Sequence, residues 1–347
     1  MTVLTTRFRD QPKIEQMCGF TVWRIPSLRR QVDRSSVLEM VAFLISAIFH
    51  ATSVARQVDP QATIAFFGLP CGPIGYVLKK RLGIPYIVSL RGGDVPGYMP
   101  DSLSLFHRLT APISRITWRS AGAVVANSKG LANLASQFTP DRGIDIIPNG
   151  VDTQLFCPPS YRKQSDRVTI LTVGRLQHQK ANDILLQAFA GLVESERHAC
   201  RLIIVGDGPE KARLVGMAGN LGVAKLVDFR GWVDRKLLPD LYRTADIFAF
   251  PSREEGMPNA VLEAMASGLP VIATPISGIE ELVTPEVTGL LVPLEDHRSL
   301  AIAISKLVQN SSLRQAMGAS GRVKVTAQFS WNASAEAYLA MVDRITA

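Results

Sequence analysis

Two glutamates, Glu255 and Glu263, stand seven residues apart within the segment EGMPNAVLE, a spacing that is informative only in its setting. The β-branched and aromatic run Ile247–Phe250 predicts a strand just before the segment. Pro258 then stands where the first turn of a helix favours proline, and Gly268 predicts the end of that helix. One carboxylate is thus predicted on a loop and the other on the helix that follows.

This strand–loop–helix arrangement could bind a diphosphate and a ribose. The free N–H groups of Asn259 and Ala260 at the helix start form a natural diphosphate site. Glu263, about one turn further along, could accept hydrogen bonds from two vicinal hydroxyls, such as those of a ribose. A solvated loop glutamate and an ordinary helix glutamate are the alternative, and the setting favours the functional interpretation.

A basic loop, GRLQHQK, directly follows the predicted strand Val168–Val173. Gly174 at the strand exit lets a ligand approach the backbone. Arg175 and Lys180 could clamp a diphosphate and stabilise the charge that develops on a departing nucleotide. Two solvated cations explain the loop equally well.

Two further strand exits are weaker candidates. Gly206 opens the GDGP turn, which lacks the third glycine of a nicotinamide fingerprint. Trp232 follows the third strand, where the backbone could contact the base of a nucleotide. A plain turn and a packing tryptophan explain these features equally well.

The first half of the chain offers candidates for the acceptor or sugar side of a site. Arg91, Gly92 and Asp94 leave a predicted strand in the run RGGD, and Asn127 occupies the equivalent exit of the next strand. Two glycines beside charged residues indicate a backbone that must come close to substrate.

The elements that would position these residues alternate regularly between strand and helix. Residues 161–330 read as continuous apolar strands separated by amphipathic helices, and residues 1–155 repeat the theme, which predicts an α/β fold of two Rossmann-like domains. Cys157–Ser160 and the charged stretch after it are interpreted as the linker. Ligands of such sheets bind at the carboxyl ends of the strands, so a cleft where the two domains face each other is the expected active site.

The charge of the chain limits the kinds of partner that it could bind. The net charge of +8 lies almost wholly in residues 1–155, which hold 17 lysines and arginines against 10 acidic residues. An anionic membrane, a phosphorylated acceptor and a solvated surface all fit this excess, whereas nucleic acid is disfavoured because no binding motif accompanies it.

The apolar run 41–49 is about half the length of a membrane span and predicts a buried helix. Four dispersed cysteines and the lack of a signal peptide predict a cytoplasmic protein.

The ordered combination of these motifs with IPNGVD and PISGIEELV resembles the retaining glycosyltransferases of family four, which have the GT-B fold. The resemblance covers almost the whole chain and is densest from Ile146 to Pro293. It implies that Arg175 and Lys180 bind the donor diphosphate and that Glu255 contacts the transferred sugar. It further implies phosphate contacts from Asn259 and Ala260, a ribose contact from Glu263, and a final helix, 331–347, that packs back on the first domain. The donor side expected from motif and resemblance comprises Gly174, Gly206, Trp232, Gly256, Met257, Pro258, Asn259, Ala260 and Glu263.

The chain departs from the family pattern near its start. No opening strand with a glycine-rich loop matches, so the chain is expected to begin after that unit: either its start is truncated, or Cys18, Gly19 and their neighbours have another role. Arg91 replaces the histidine that the family often carries in its strand-exit loop, which could favour a charged sugar or acceptor. Ala181 replaces the usual glycine after Lys180.

The sequence therefore predicts a hexosyltransferase that needs neither cofactor nor metal, because two cations and a helix start replace the metal's electrostatic role. The expected donor is a UDP-sugar, and the expected acceptor a lipid-linked sugar or polysaccharide near an anionic membrane. A nucleotide-sugar epimerase or phosphorylase of the same fold and a non-catalytic donor-binding subunit are the alternatives.

Overall fold

The computed structural model describes residues 1–30, 36–160 and 167–347, and the charged stretch after Ser160 lies largely outside them. The chain divides into two compact units. The first comprises Met1–Asn127, Leu131–Ile147 and Ala337–Ala347, and the second comprises Ser128–Gly130 and Pro148–Glu336. The division falls after Ile147, earlier than residue 155. Phe156, beside the expected linker, is buried in the core of the second unit.

The first unit contains two sheets. Strands β4 (Thr63–Phe66), β5 (Tyr86–Leu90), β6 (Ala123–Ala126) and β7 (Asp145–Ile146) form a parallel four-stranded sheet in that order. Strands β1 (Thr2–Thr6), β2 (Ile14–Met17) and β3 (Phe20–Ile25) form a separate small sheet with β3 in the centre. Cys18 and Gly19 connect β2 to β3 as a two-residue turn with positive φ at both positions, as tight hairpins require.

Helices of the first unit are α1 (Val37–Val58), α2 (Gly72–Leu82), α3 (Pro100–Ser120) and most of α4 (Lys129–Phe138). Both α1 and α3 pack against α2. The expectation of a buried helix around residues 41–49 is wrong, because only 17% of the most apolar 18-residue window of α1 is buried. By length and composition alone, α1 is also the one described helix that could cross a membrane.

The second unit contains a six-stranded parallel sheet of order β10-β9-β8-β11-β12-β13. These strands are β8 (Val168–Val173), β9 (Cys200–Val205), β10 (Val227–Gly231), β11 (Ile247–Phe250), β12 (Val271–Ala273) and β13 (Gly289–Leu291). Their apolar side chains enter two buried clusters. Burial of both sheet faces explains why the strands read as continuous apolar runs.

Helices cover this second sheet. They are α5 (Asn182–Ala190), α6 (Glu194–His198), α7 (Lys211–Asn220), α8 (Leu238–Thr244), α9 (Asn259–Ala266), α10 (Ile279–Leu282), α11 (His297–Gln309) and α12 (Ser311–Gln328). The last helix, α13 (Trp331–Thr346), starts in the second unit, and its residues from Ala337 onward belong to the first. Two Rossmann-like α/β units are thus confirmed as the building blocks of the chain.

Candidate active site

Lys180 and Glu255 form an ion pair in the second unit. The Lys180 ammonium contacts Glu255 Oε1 and also lies 5.0 Å from the centre of the Phe250 ring. Both side chains are largely shielded, with 18% and 10% of their surface exposed. Lys180 ends a 3-10 turn after β8, whereas Glu255 lies in the loop after the neighbouring strand β11. The sheet therefore brings together two predicted catalytic residues that are 75 positions apart.

Ser252 and Gln179 organise this pair. The fully buried Ser252 hydroxyl lies 2.7 Å from Glu255 Oε1 and 2.9 Å from the backbone oxygen of Gln179. The Gln179 side chain donates to the backbone oxygen of Glu254, and the backbone N–H of Arg253 donates to the backbone oxygen of Gln179. These bonds tie the two loops together and fix Glu255, a role that the sequence analysis did not assign to either residue.

The start of α9 lies just beyond Glu255. Pro258 is the N-cap, so the helix begins one residue later than a first-turn proline implies. Asn149 braces this start: its amide nitrogen donates to the backbone oxygen of Met257 at 3.0 Å and to Asn259 Oδ1 at 2.9 Å. Its backbone N–H contacts the Met257 sulfur, so the buried Met257 supports the helix start from within.

Glu263 lies on the inner face of α9 and is only 9% exposed. Burial raises the pKa of its carboxyl, while a 3.0 Å hydrogen bond from the Tyr242 hydroxyl acts in the opposite direction. Burial and the adjacent Glu263 also raise the Tyr242 pKa well above its ordinary value. One Glu263 oxygen therefore already accepts a hydrogen bond from Tyr242, the carboxylate keeps further acceptor sites, and its expected contact with a ribose stays a prediction.

At two glycines of the site, the backbones of neighbouring loops lie in direct contact. Gly206 has a φ of +135°, and a Cβ there would lie 1.9 Å from the Gly174 oxygen. Gly278 has a φ of +77°, and a Cβ would lie 2.0 Å from the Gly256 oxygen. Side chains at Gly206 and Gly278 would force these loops apart.

Arg175 and Trp232 are exposed at the ends of β8 and β10. Within the described ranges, the Arg175 guanidinium has neither a hydrogen bond nor an ion pair. Trp232 is 69% exposed, so it is not the packing residue that the alternative interpretation required.

In the first unit, Asp94 has a structural role. Its carboxylate accepts the backbone N–H groups of Gly68 at 2.6 Å and of Arg91 and Gly92 at 2.9 Å each. Burial raises the Asp94 pKa, and these donors counteract the increase. Asp94 therefore joins the loops after β4 and β5, and its expected place on the acceptor or sugar side of the site stays a prediction.

Arg91 is held at the surface of the same loop. Its guanidinium lies 4.8 Å from the centre of the Phe66 ring and donates to the Tyr338 hydroxyl at 3.1 Å. The Tyr338 hydroxyl also contacts Ser89 Oγ at 2.6 Å. Gly92 has a φ of +138° and packs against Tyr98.

Asn127 is buried at the exit of β6, and its side-chain oxygen has no hydrogen-bond partner in the part of the chain that the structure describes. A buried amide oxygen without a partner is uncommon and favours a ligand or water at that position.

Family models match both parts of the chain. Residues 1–155 match the model described as Glycosyltransferase Family 4, and residues 156–324 match that described as Glycosyl transferases group 1. A D-inositol 3-phosphate glycosyltransferase of Mycobacteroides abscessus is 34% identical over 99% of this chain and 79% of its own length. A GDP-mannose-dependent alpha-(1-6)-phosphatidylinositol monomannoside mannosyltransferase of Mycobacterium tuberculosis is 34% identical over 64% of this chain, which spans only 62% of that relative.

Solved structures share the fold at lower identity. Sucrose-phosphate synthase of Thermosynechococcus elongatus superimposes with a TM-score of 0.86 at 22% identity, covering 99% of this chain and 88% of its own. Anabaena HepE in complex with UDP gives a TM-score of 0.74 at 19% identity, covering 94% and 86%.

Proposed function

The chain belongs to glycosyltransferase family 4, and from that premise we propose that it transfers a hexose from a nucleotide diphosphate sugar to a hydroxyl group with retention of anomeric configuration. The observation that carries the proposal is the shielded ion pair between Lys180, in the turn after β8, and Glu255, in the loop that leads to the start of α9. A fixed cation from one loop thus lies beside a fixed carboxylate from another, three residues before the N-cap of a helix.

The diphosphate would accept hydrogen bonds from the N–H groups of Asn259 and Ala260 at the start of α9. An ammonium group has three donors, so Lys180 can bind a phosphate oxygen without releasing Glu255. Arg175 supplies the second cation. Glu255 then holds the hydroxyls of the transferred sugar.

In the proposed reaction, the bond between the anomeric carbon and the leaving phosphate oxygen breaks. The acceptor oxygen forms its bond to the same face of that carbon, and the acceptor proton passes to the leaving phosphate. Lys180 and Arg175 stabilise the negative charge on the departing diphosphate, a role that a metal ion fills in other enzymes.

We favour a UDP-sugar as donor, with the HepE complex as support, and GDP-mannose as the competitor that the M. tuberculosis relative suggests. The proposed acceptor is a lipid-linked sugar or polysaccharide at the inner face of a membrane. The basic excess of residues 1–155 supports this choice, as does the phosphatidylinositol in the name of that relative.

The test is an assay of the full chain with UDP-glucose, UDP-N-acetylglucosamine and GDP-mannose, each offered with phosphatidylinositol monomannoside, a lipid-linked sugar, and with D-inositol 3-phosphate. We expect EDTA-insensitive transfer, and we expect nuclear magnetic resonance to show the donor's anomeric configuration in the product. An inverted product or EDTA-sensitive turnover contradicts the mechanism.

Isomerised donor in the absence of an acceptor identifies an epimerase instead. Donor binding without turnover on any acceptor, rescued by a partner protein, identifies a donor-binding subunit.

A further inference from the structure

The long apolar helix α1 presents a continuous apolar stripe to solvent. Leu38, Val41, Ile45 and Phe49 follow one another at intervals of three or four residues, which places them on one side of the helix. All four are exposed, Leu38 to 80% and Phe49 to 74% of their surface.

The opposite side of α1 is anchored in the first unit. Ala47, Ala51 and Ala55 are buried in a cluster with Ile25 of β3 and Ile74 of α2. The helix is therefore held along one side and open along the other, as expected for a helix that lies on a membrane rather than across it.

Helix α3 carries a second stripe of the same kind. Leu105, Leu109, Ile113 and Ile116 are exposed at intervals of three or four residues, Leu109 to 70%. Because α1 and α3 both pack against α2, the two stripes belong to one group of three helices. We call these eight side chains the apolar face.

Arginines border the stripe of α3. Arg108, Arg115 and Arg119 fall on one edge of it, seven and four residues apart. All three are exposed, although Arg119 pairs with Asp141 and Arg115 lies over the Phe138 ring. Together α1, α2 and α3 carry seven lysines and arginines against two acidic residues.

We propose that the apolar face docks on a bilayer that contains anionic phospholipids, with the side chains of α1 and α3 inserted among the lipids and the arginines at the headgroups. A second copy of the chain is the main competitor, but it would add the same positive charges to the interface, whereas anionic headgroups would complement them. This inference deepens the proposed function by naming the surface that meets a lipid acceptor. It is tested without donor or turnover, so either claim can fail alone.

The experiment is sedimentation of the full chain with vesicles. One set contains phosphatidylcholine alone, and the other contains equal parts of phosphatidylcholine and phosphatidylglycerol. We expect binding to the second set to be at least about tenfold tighter, because each basic residue near the surface is attracted to anionic lipid. The difference should shrink at high salt.

The test variant combines Leu38→Ser with Phe49→Ser, and we expect at least about a tenfold loss of vesicle binding through lost apolar insertion. A second variant, Arg108→Ala with Arg115→Ala, should mainly remove the preference for anionic lipid. The matched control replaces Ile302 and Val323, which are 70% and 71% exposed on α11 and α12 of the second unit, with serine and should bind as the parent does.

Because the replaced side chains are exposed, the variants should keep the parent's melting temperature, and nucleotide-induced thermal shifts should be unchanged. No binding by the parent, or equal loss in the control, overturns the proposal. If the parent is a dimer that does not bind vesicles, and the variant with Leu38→Ser and Phe49→Ser is a monomer, the apolar face serves self-association instead.

Discussion

Lys180 and Glu255 are the residues on which the chemistry depends, and their roles can be separated experimentally. Lys180→Ala removes the cation from the diphosphate, and we expect turnover to fall by about a hundredfold or more. It also leaves Glu255 buried without its partner, which by itself lowers stability. Steady-state kinetics with saturating donor measure the first effect, and thermal unfolding measures the second.

A double variant distinguishes donor binding from simple pairing. If Lys180 serves only to neutralise Glu255, then adding Glu255→Gln to Lys180→Ala restores turnover toward that of Glu255→Gln alone. We expect no such recovery. Lys306→Ala, which breaks an exposed pair with Glu286, is the matched control and should leave kinetics unchanged.

Glu263 gives a pH-dependent prediction. Its pKa is raised in the folded protein, so the native state binds its proton more tightly than the unfolded chain does. Its contribution to stability is therefore fully present at pH values below the unfolded pKa and is lost as pH rises through the folded pKa.

The glutamine of the Glu263→Gln variant cannot ionise. We therefore expect the variant's free energy of unfolding, relative to that of the parent, to increase from about pH 5 to about pH 8. Urea denaturation at both pH values measures the difference. A constant difference contradicts the burial argument.

Sequence predicts the positions of these residues better than their partners. Strand, loop and helix around Glu255 follow from local patterns, so both glutamates were placed correctly on their elements. Asn149 contacts Met257 across 108 positions, and no local spacing reveals such a contact. The run RGGD suggests that Asp94 faces a substrate, but only the structure shows that its carboxylate accepts three backbone N–H groups, one of them from Gly68, 26 positions away.

Among the elements, the loops at the carboxyl ends of β8 and β9 make the sharpest prediction. Gly206→Ala places a methyl group against the Gly174 oxygen in a backbone conformation that alanine disfavours. We expect a loss of several kcal/mol in the free energy of unfolding, or loss of nucleotide binding where the loop shifts instead.

Gly216→Ala is the matched control for that prediction. Gly216 lies within α7, and a Cβ there meets nothing within 4 Å. Alanine should stabilise this helix by about 0.5–1 kcal/mol. Equal effects of the two substitutions in thermal unfolding would contradict the assigned loop geometry.

Strands β8 and β11 have the bounds that their apolar runs predict, because apolar runs covered on both faces of a sheet are distinctive. The exposure of a helix is harder to predict than the bounds of such a strand, because it depends on which side of the helix the rest of the fold covers. Apolar composition indicated a buried helix around residues 41–49, but composition cannot tell which side of α1 the fold covers. The antiparallel strand β2 was missed because it has only four residues, two of them polar.

For the whole molecule, family membership and fold agree with the sequence interpretation, and each unit has its own candidate residues. The second unit contains the cation, the carboxylate and the helix start. The first contains the Asp94-supported loop, the buried Asn127 amide and the apolar face. Charge follows the same division, since residues 1–155 hold nearly all of the basic excess.

The central claim is that a nucleotide diphosphate binds at Lys180 and the start of α9, and a crystal structure of the full chain soaked with UDP tests it most directly. We predict phosphate oxygens within about 3 Å of the backbone nitrogens of Asn259 and Ala260 and of Lys180 Nζ. A nucleotide bound elsewhere, or one whose phosphates contact neither the start of α9 nor Lys180, would contradict the account.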